Sequence, residues 1–82
     1  MRSESKYKIV CVEWLDSKSG SCEWEYLDDL EALMPINCKT YGFLIDDNEH
    51  YKTLASTIGG GQVWGRITIP TCSIIDFQIL SQ

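Results

Sequence analysis

Eighty-two residues, 44% of them hydrophobic and 23% charged, make a globular composition, and that length holds one domain, 1–82, near the lower limit for a self-sufficient core. A net charge of −5 argues against a duplex DNA or RNA partner, because the phosphate backbone is gripped by clustered Lys and Arg. Nine aromatic residues, three of them Trp, are many for so small a core, so some are expected at a binding surface.

Residues 1–6 read as a flexible N-terminal segment without an apolar leader, and no run approaches the length of a membrane span. The first strand is predicted over Tyr7 to Leu15, with Lys8, Val10, Val12 and Trp14 on one face and Tyr7, Ile9, Cys11 and Glu13 on the other. Ser, Asp and Gly crowd residues 16–21, which predicts a loop. Leu27, Leu30 and Leu33 or Met34 then recur at helical spacing. Acidic residues at 25, 28, 29 and 31 suit a helix N-terminus, and Pro35 stops the run, so one short helix is predicted over 26–34.

Cys38 to Ile45 reads as the second strand, with Tyr41, Phe43 and Ile45 on one face. Asp46 to Glu49 is a polar turn, and Tyr51 to Ile58 returns as the third strand of a hairpin. Three glycines, Gly59 to Gly61, predict a loop with unusual backbone freedom. The clearest strand is Gln62 to Pro70: Val63, Ile67 and Ile69 share one face, and Trp64, Arg66 and Thr68 the other. Pro70 to Ser73 interrupts the chain, and Ile74 to Leu80 resumes with Ile75, Phe77 and Ile79 alternating against Asp76 and Gln78. The fold class is therefore mostly β with one short helix: a small five-stranded antiparallel sheet, either an SH3-like barrel or strongly bent.

Four candidate chemistries are weak on residue grounds. His50 has no Ser-His-Asp or Cys-His order around it, so no enzyme is expected. Cys11, Cys22, Cys38 and Cys72 form no CxxC pair and stand at no metal-ligand spacing to His50; they read as reduced thiols of a cytoplasmic protein. Asp16, Asp46, Asp47 and Glu49 lack the pattern of a calcium loop, and the glycine run lacks the Lys-Ser/Thr of a phosphate loop. No metal and no cofactor are expected.

Trp64 and Arg66 are the strongest candidates. An indole stacks on a nucleobase, and a guanidinium pairs bidentately with phosphate. Tyr51, Lys52, Trp14 and Trp24 are candidates for the remaining wall and a second cation. The competing expectation packs Trp64 under the helix and pairs Arg66 with a carboxylate of 28–31.

The landmarks Val12-Glu13-Trp14-Leu15-Asp16-Ser17, Trp24, Leu27-Asp28-Asp29-Leu30, Tyr41-Gly42-Phe43-Leu44-Ile45 and Ile67-Thr68-Ile69-Pro70 occur in an order that resembles a group of small bacteriophage proteins. The likeness covers about residues 7–80. It implies a phage accessory protein at work in the host cytoplasm, and such proteins are often antagonists of host defence. Two modes of antagonism follow as expectations. One is a homo-oligomeric sponge that sequesters a cyclic dinucleotide or cyclic ADP-ribose-like signal. The alternative is an acidic inhibitor of a basic host protein such as a defence nuclease, with a ligand-free structural adaptor barrel as a third possibility.

Overall fold

The computed structural model describes residues 6–20 and 22–81; of the N-terminal segment expected to be flexible, only Lys6 lies among them. Five antiparallel strands form one sheet: β1 (Ile9–Asp16), β2 (Ile36–Asp47), β3 (Tyr51–Gly59), β4 (Gln62–Pro70) and β5 (Ile74–Ser81). They lie in the order β4-β3-β2-β1-β5. The edge strands β4 and β5 do not pair, so the expected SH3-like barrel does not close; the open sheet is bent, since Ile69 of β4 is buried with Val10 and Val12 of β1, three strand spacings away.

The bend follows from how the long strand β2 is shared. Its first part pairs with β1, from Ile36↔Asp16 to Phe43↔Ile9. Its last part pairs with β3, from Phe43↔Ala55 to Asp47↔Lys52. A β-bulge between Leu44 and Asp46 adds local twist where the two halves meet. At this corner a side chain on Gly42 would place its Cβ 2.7 Å from the Ala55 carbonyl oxygen. Backbone cannot yield there as a flexible side chain would. Gly42→Ala is therefore expected to cost about 1–3 kcal/mol, as overpacking does, read as a lowered urea midpoint with an unchanged slope.

The bend carries β4 over β1. Val10, Val12, Leu54 and Ile69 are fully buried, and Trp14, Leu44, Ile67, Ile74 and Phe77 pack around them. The Trp14 indole N–H donates to Thr40 Oγ1 at 2.9 Å, which satisfies its polar atom beside the core. Lys52 gives the closure a second fastening: its Nζ lies 2.6 Å from Asp47 Oδ1 and 4.4 Å from the centre of the Phe77 ring. β3 and β5 are three strand spacings apart, about 14 Å in a flat sheet. Only a curled sheet lets these side chains meet.

Three sequence expectations need correction. Residues 26–34 form no helix. Only Leu27–Asp29 makes a 3-10 turn, flanked by extended Tyr26 (ψ 134°) and Leu30 (ψ 133°). A helix of two turns is marginal without a partner for its apolar stripe, and Leu27, Leu30 and Leu33 are exposed and stand outside the core cluster. Val63 is exposed rather than in the core, because the β3-β4 ladder runs on to Gly59↔Gln62 while the β2-β3 ladder ends at Phe43↔Ala55. In β5 a register shift between Glu13 and Trp14 pairs Trp14 with Ile74. That turns Ile74 toward the core and leaves Ile75 exposed.

Candidate functional site

The β3-β4 hairpin ends in a tight turn at Gly60 and Gly61, with φ of 57° and 71°. Positive φ at both central residues is the geometry of a two-residue hairpin turn whose twist matches its strands. The glycine run is therefore a defined turn rather than a freely varying loop. Beyond Ala55 the hairpin is a two-stranded ribbon, since β2 pairs with it no further.

Trp64 and Arg66 lie on this ribbon and at its root. Trp64 pairs with Thr57 and Arg66 with Ala55, which places both on the outer face, opposite Leu54 and Ile67. Trp64 is 77% exposed and Arg66 is exposed as well. Among the described residues no carboxylate lies within ion-pair distance of Arg66. Neither side chain serves the core, so the expectation that Trp64 packs under a helix and Arg66 pairs with a carboxylate of 28–31 is overturned.

Gly65 sits between them with φ +73°, and Ser56 occupies the space a Cβ would take. The Ser56 hydroxyl donates to the Trp64 carbonyl oxygen at 3.0 Å. This contact holds the backbone between the indole and the guanidinium in one shape. Gly65→Ala adds left-handed strain to a direct clash, and is expected to cost about 1–3 kcal/mol. Restoring space with Ser56→Gly should recover part of the loss in thermal unfolding; equal midpoints for the single and double variants would show that the clash is not the cause.

The other sequence candidates stand elsewhere. Tyr51 pairs with Pro70 at the far end of the hairpin, six residues along β3 from Thr57 and therefore about 20 Å away. Lys52 is held by Asp47 and Phe77. Trp14 packs against the core with its indole N–H engaged, and Trp24 stands fully exposed in the connection between β1 and β2. One copy of the chain thus brings together Trp64 and Arg66 alone.

The remaining polar groups have local roles. Asn48 Oδ1 accepts from the backbone N–H groups of His50 and Tyr51, at 2.8 and 3.0 Å, and closes the β2-β3 turn. His50 is solvated, 3.9 Å from Glu49. Asp16 Oδ1 accepts from the Ser17 N–H at 2.8 Å. Among the described residues no three His, Cys, Asp or Glu side chains gather at metal-binding distance, and the four cysteines are unbridged.

Sequence reading missed the exposure of residues 22–35, where Trp24, Tyr26, Leu27, Leu30, Leu33 and Met34 all face solvent. The signal was present in the length of the segment, since strands paired as closely as β1 and β2 need only a few connecting residues. Comparison of the chain with protein-family models, with curated proteins and with solved structures finds no match.

Proposed function

We propose that this protein is a non-catalytic, homo-oligomeric binder that sequesters a nucleotide-type ligand, a cyclic dinucleotide or a cyclic ADP-ribose-like molecule, on the outer face of β4. The observation that carries this reading is an indole 77% exposed, two residues from an exposed guanidinium that has no carboxylate partner among the described residues. An indole held out in solvent keeps its ring face free for stacking. Trp64 stacks on the base, which contributes about 1–3 kcal/mol. Arg66 pairs with phosphate through two parallel N–H donors. The local cation overcomes the repulsion that a chain of net charge −5 exerts on an anion.

The reading fits a counter-defence role in the host cytoplasm, as the likeness to small phage proteins implies. Calorimetric titration with cyclic dinucleotides and cyclic ADP-ribose isomers is expected to give a Kd of about 10 μM or tighter for one of them, roughly −7 kcal/mol. Ligand recovered unaltered after heat denaturation separates sequestration from turnover.

A second reading rests on a different observation: residues 22–35 expose Trp24 and Tyr26 among Glu23, Glu25, Asp28, Asp29 and Glu31. Such a surface suits a basic protein partner, and its association weakens with salt. Charge reversal at those five positions tests it, because that change leaves β4 untouched.

A further inference from the structure

Asp16 and Ile36 face each other across the β1-β2 ladder, a gap that a few residues close. The chain instead runs through residues 17–35. Residues 22–35 are exposed throughout; Trp24 has the accessibility of an isolated residue at 102%, and Leu27 is 85% exposed. The molecule measures 59 × 24 × 19 Å with a radius of gyration of 16.9 Å, where a compact chain of this length has about 12 Å.

We propose that residues 22–35 are an exchanged arm, which packs on the outer face of β1, β2 and β5 of a second copy of this chain while the second copy's arm packs on the first. Three observations select that occupant. The first is area. The chain exposes 6410 Å², roughly 1400 Å² more than a compact protein of its mass, and a stable dimer needs about 800 Å² from each partner. The surplus suffices for one interface. A core with four large side chains fully buried among the described residues also has need of it.

The second observation is charge. Residues 22–35 hold five of the twelve Asp and Glu and none of the seven Lys and Arg, so the net charge of −5 resides in this segment and the rest of the chain is neutral. Arm against arm would gather five carboxylates from each copy. Arm against sheet meets two carboxylates, Glu13 and Asp76, in place of five, and one cation, Lys39, which is exposed on β2.

The third is the receiving surface. Tyr41, Leu80 and Ile9 are 61%, 50% and 37% exposed on that face. A groove of about 190 Å³ runs between Lys39 and Tyr41 on β2, Cys11 on β1, and Gln78 and Leu80 on β5. Glu13 and Asp76, which also line it, are acceptors for an indole N–H such as that of Trp24. Each copy carries one uncovered arm and one uncovered sheet face, so a reciprocal twofold contact covers both in equal number. This surface lies on the same side of the sheet as Trp64 and Arg66, but no residue of β4 lines its groove, and the inference stands whether or not a ligand binds on β4.

Sedimentation of the full chain between about 1 and 500 μM tests the exchange. Twice the chain mass of 9.4 kDa is expected. The triple variant Trp24→Ser, Leu27→Ser, Leu30→Ser and the sheet variant Tyr41→Glu should each weaken the dimer at least 100-fold. Mixing the two variants should yield a heterodimer, because one pairs an intact sheet with the other's intact arm; circular dichroism of each variant first establishes that it folds. Wild-type chain that stays monomeric throughout overturns the exchange and leaves the arm to a basic protein. A triple variant that dimerises as tightly as wild type overturns it too, and so does a mixture without heterodimer.

Discussion

Replacing Ile69 by alanine is expected to remove most of the chain's stability and leave it marginally folded at room temperature. Ile69 is fully buried on β4 and meets Val10 and Val12 of β1 together with Leu54 of β3. Those four side chains join the two halves of the sheet, and they are the largest that solvent does not reach. Removing three carbons from a site of this kind costs about 2–5 kcal/mol. A domain this small has about 3–5 kcal/mol of stability to lose. Backbone hydrogen bonds within each half cannot substitute, because β4 and β5 share none. Urea titration followed by circular dichroism reads the effect. A cooperative transition within about 1 kcal/mol of wild type would mean that the bend is held by something other than this cluster.

Alanine at both Trp64 and Arg66 is expected to weaken ligand binding by more than about 100-fold while the fold persists. Stacking supplies about 1–3 kcal/mol and a charge-assisted hydrogen bond about 1.5–3 kcal/mol, so their joint loss amounts to about two to four decades of affinity. The stability change should stay within about 0.5 kcal/mol per site, since neither side chain packs in the core cluster. If the double variant unfolds instead, the two residues are structural and the site is lost with them.

The strands were legible in the sequence because alternation is local. Val10, Val12 and Trp14 announce an inward face, and Ile67 and Ile69 another, without knowledge of what they meet. What alternation cannot convey is where a strand leaves its neighbour. Val63 continues the apolar face of Ile67 and Ile69 in sequence, yet the ribbon has passed beyond β2 by that point and no core lies beneath it. Ile75 fits the period with Phe77 and Ile79, and a single register shift opposite Glu13 and Trp14 substitutes Ile74.

The arm misled for a related reason. Leu27, Leu30 and Leu33 have helical spacing, and spacing reports only that a stripe exists. A helix forms when the stripe has a surface to bury against, and within one copy none is in reach. The pair Trp64 and Arg66 was legible as a face. Its exposure was not, because that depends on the absence of a helix the sequence predicts. Tyr51 and Lys52 are candidates because they stand on the preceding strand, and Trp14 and Trp24 by residue type. Register assigns Lys52 to Asp47 and Phe77, and Trp14 to Thr40.

Calorimetric titration of wild-type chain and of the Trp64→Ala, Arg66→Ala variant against one panel of cyclic dinucleotides and cyclic ADP-ribose isomers tests the central claim most directly. Binding at about 10 μM or tighter by wild type, absent from a folded double variant, is the predicted result. A panel that wild type does not bind, or a ligand that the double variant binds equally well, would contradict it.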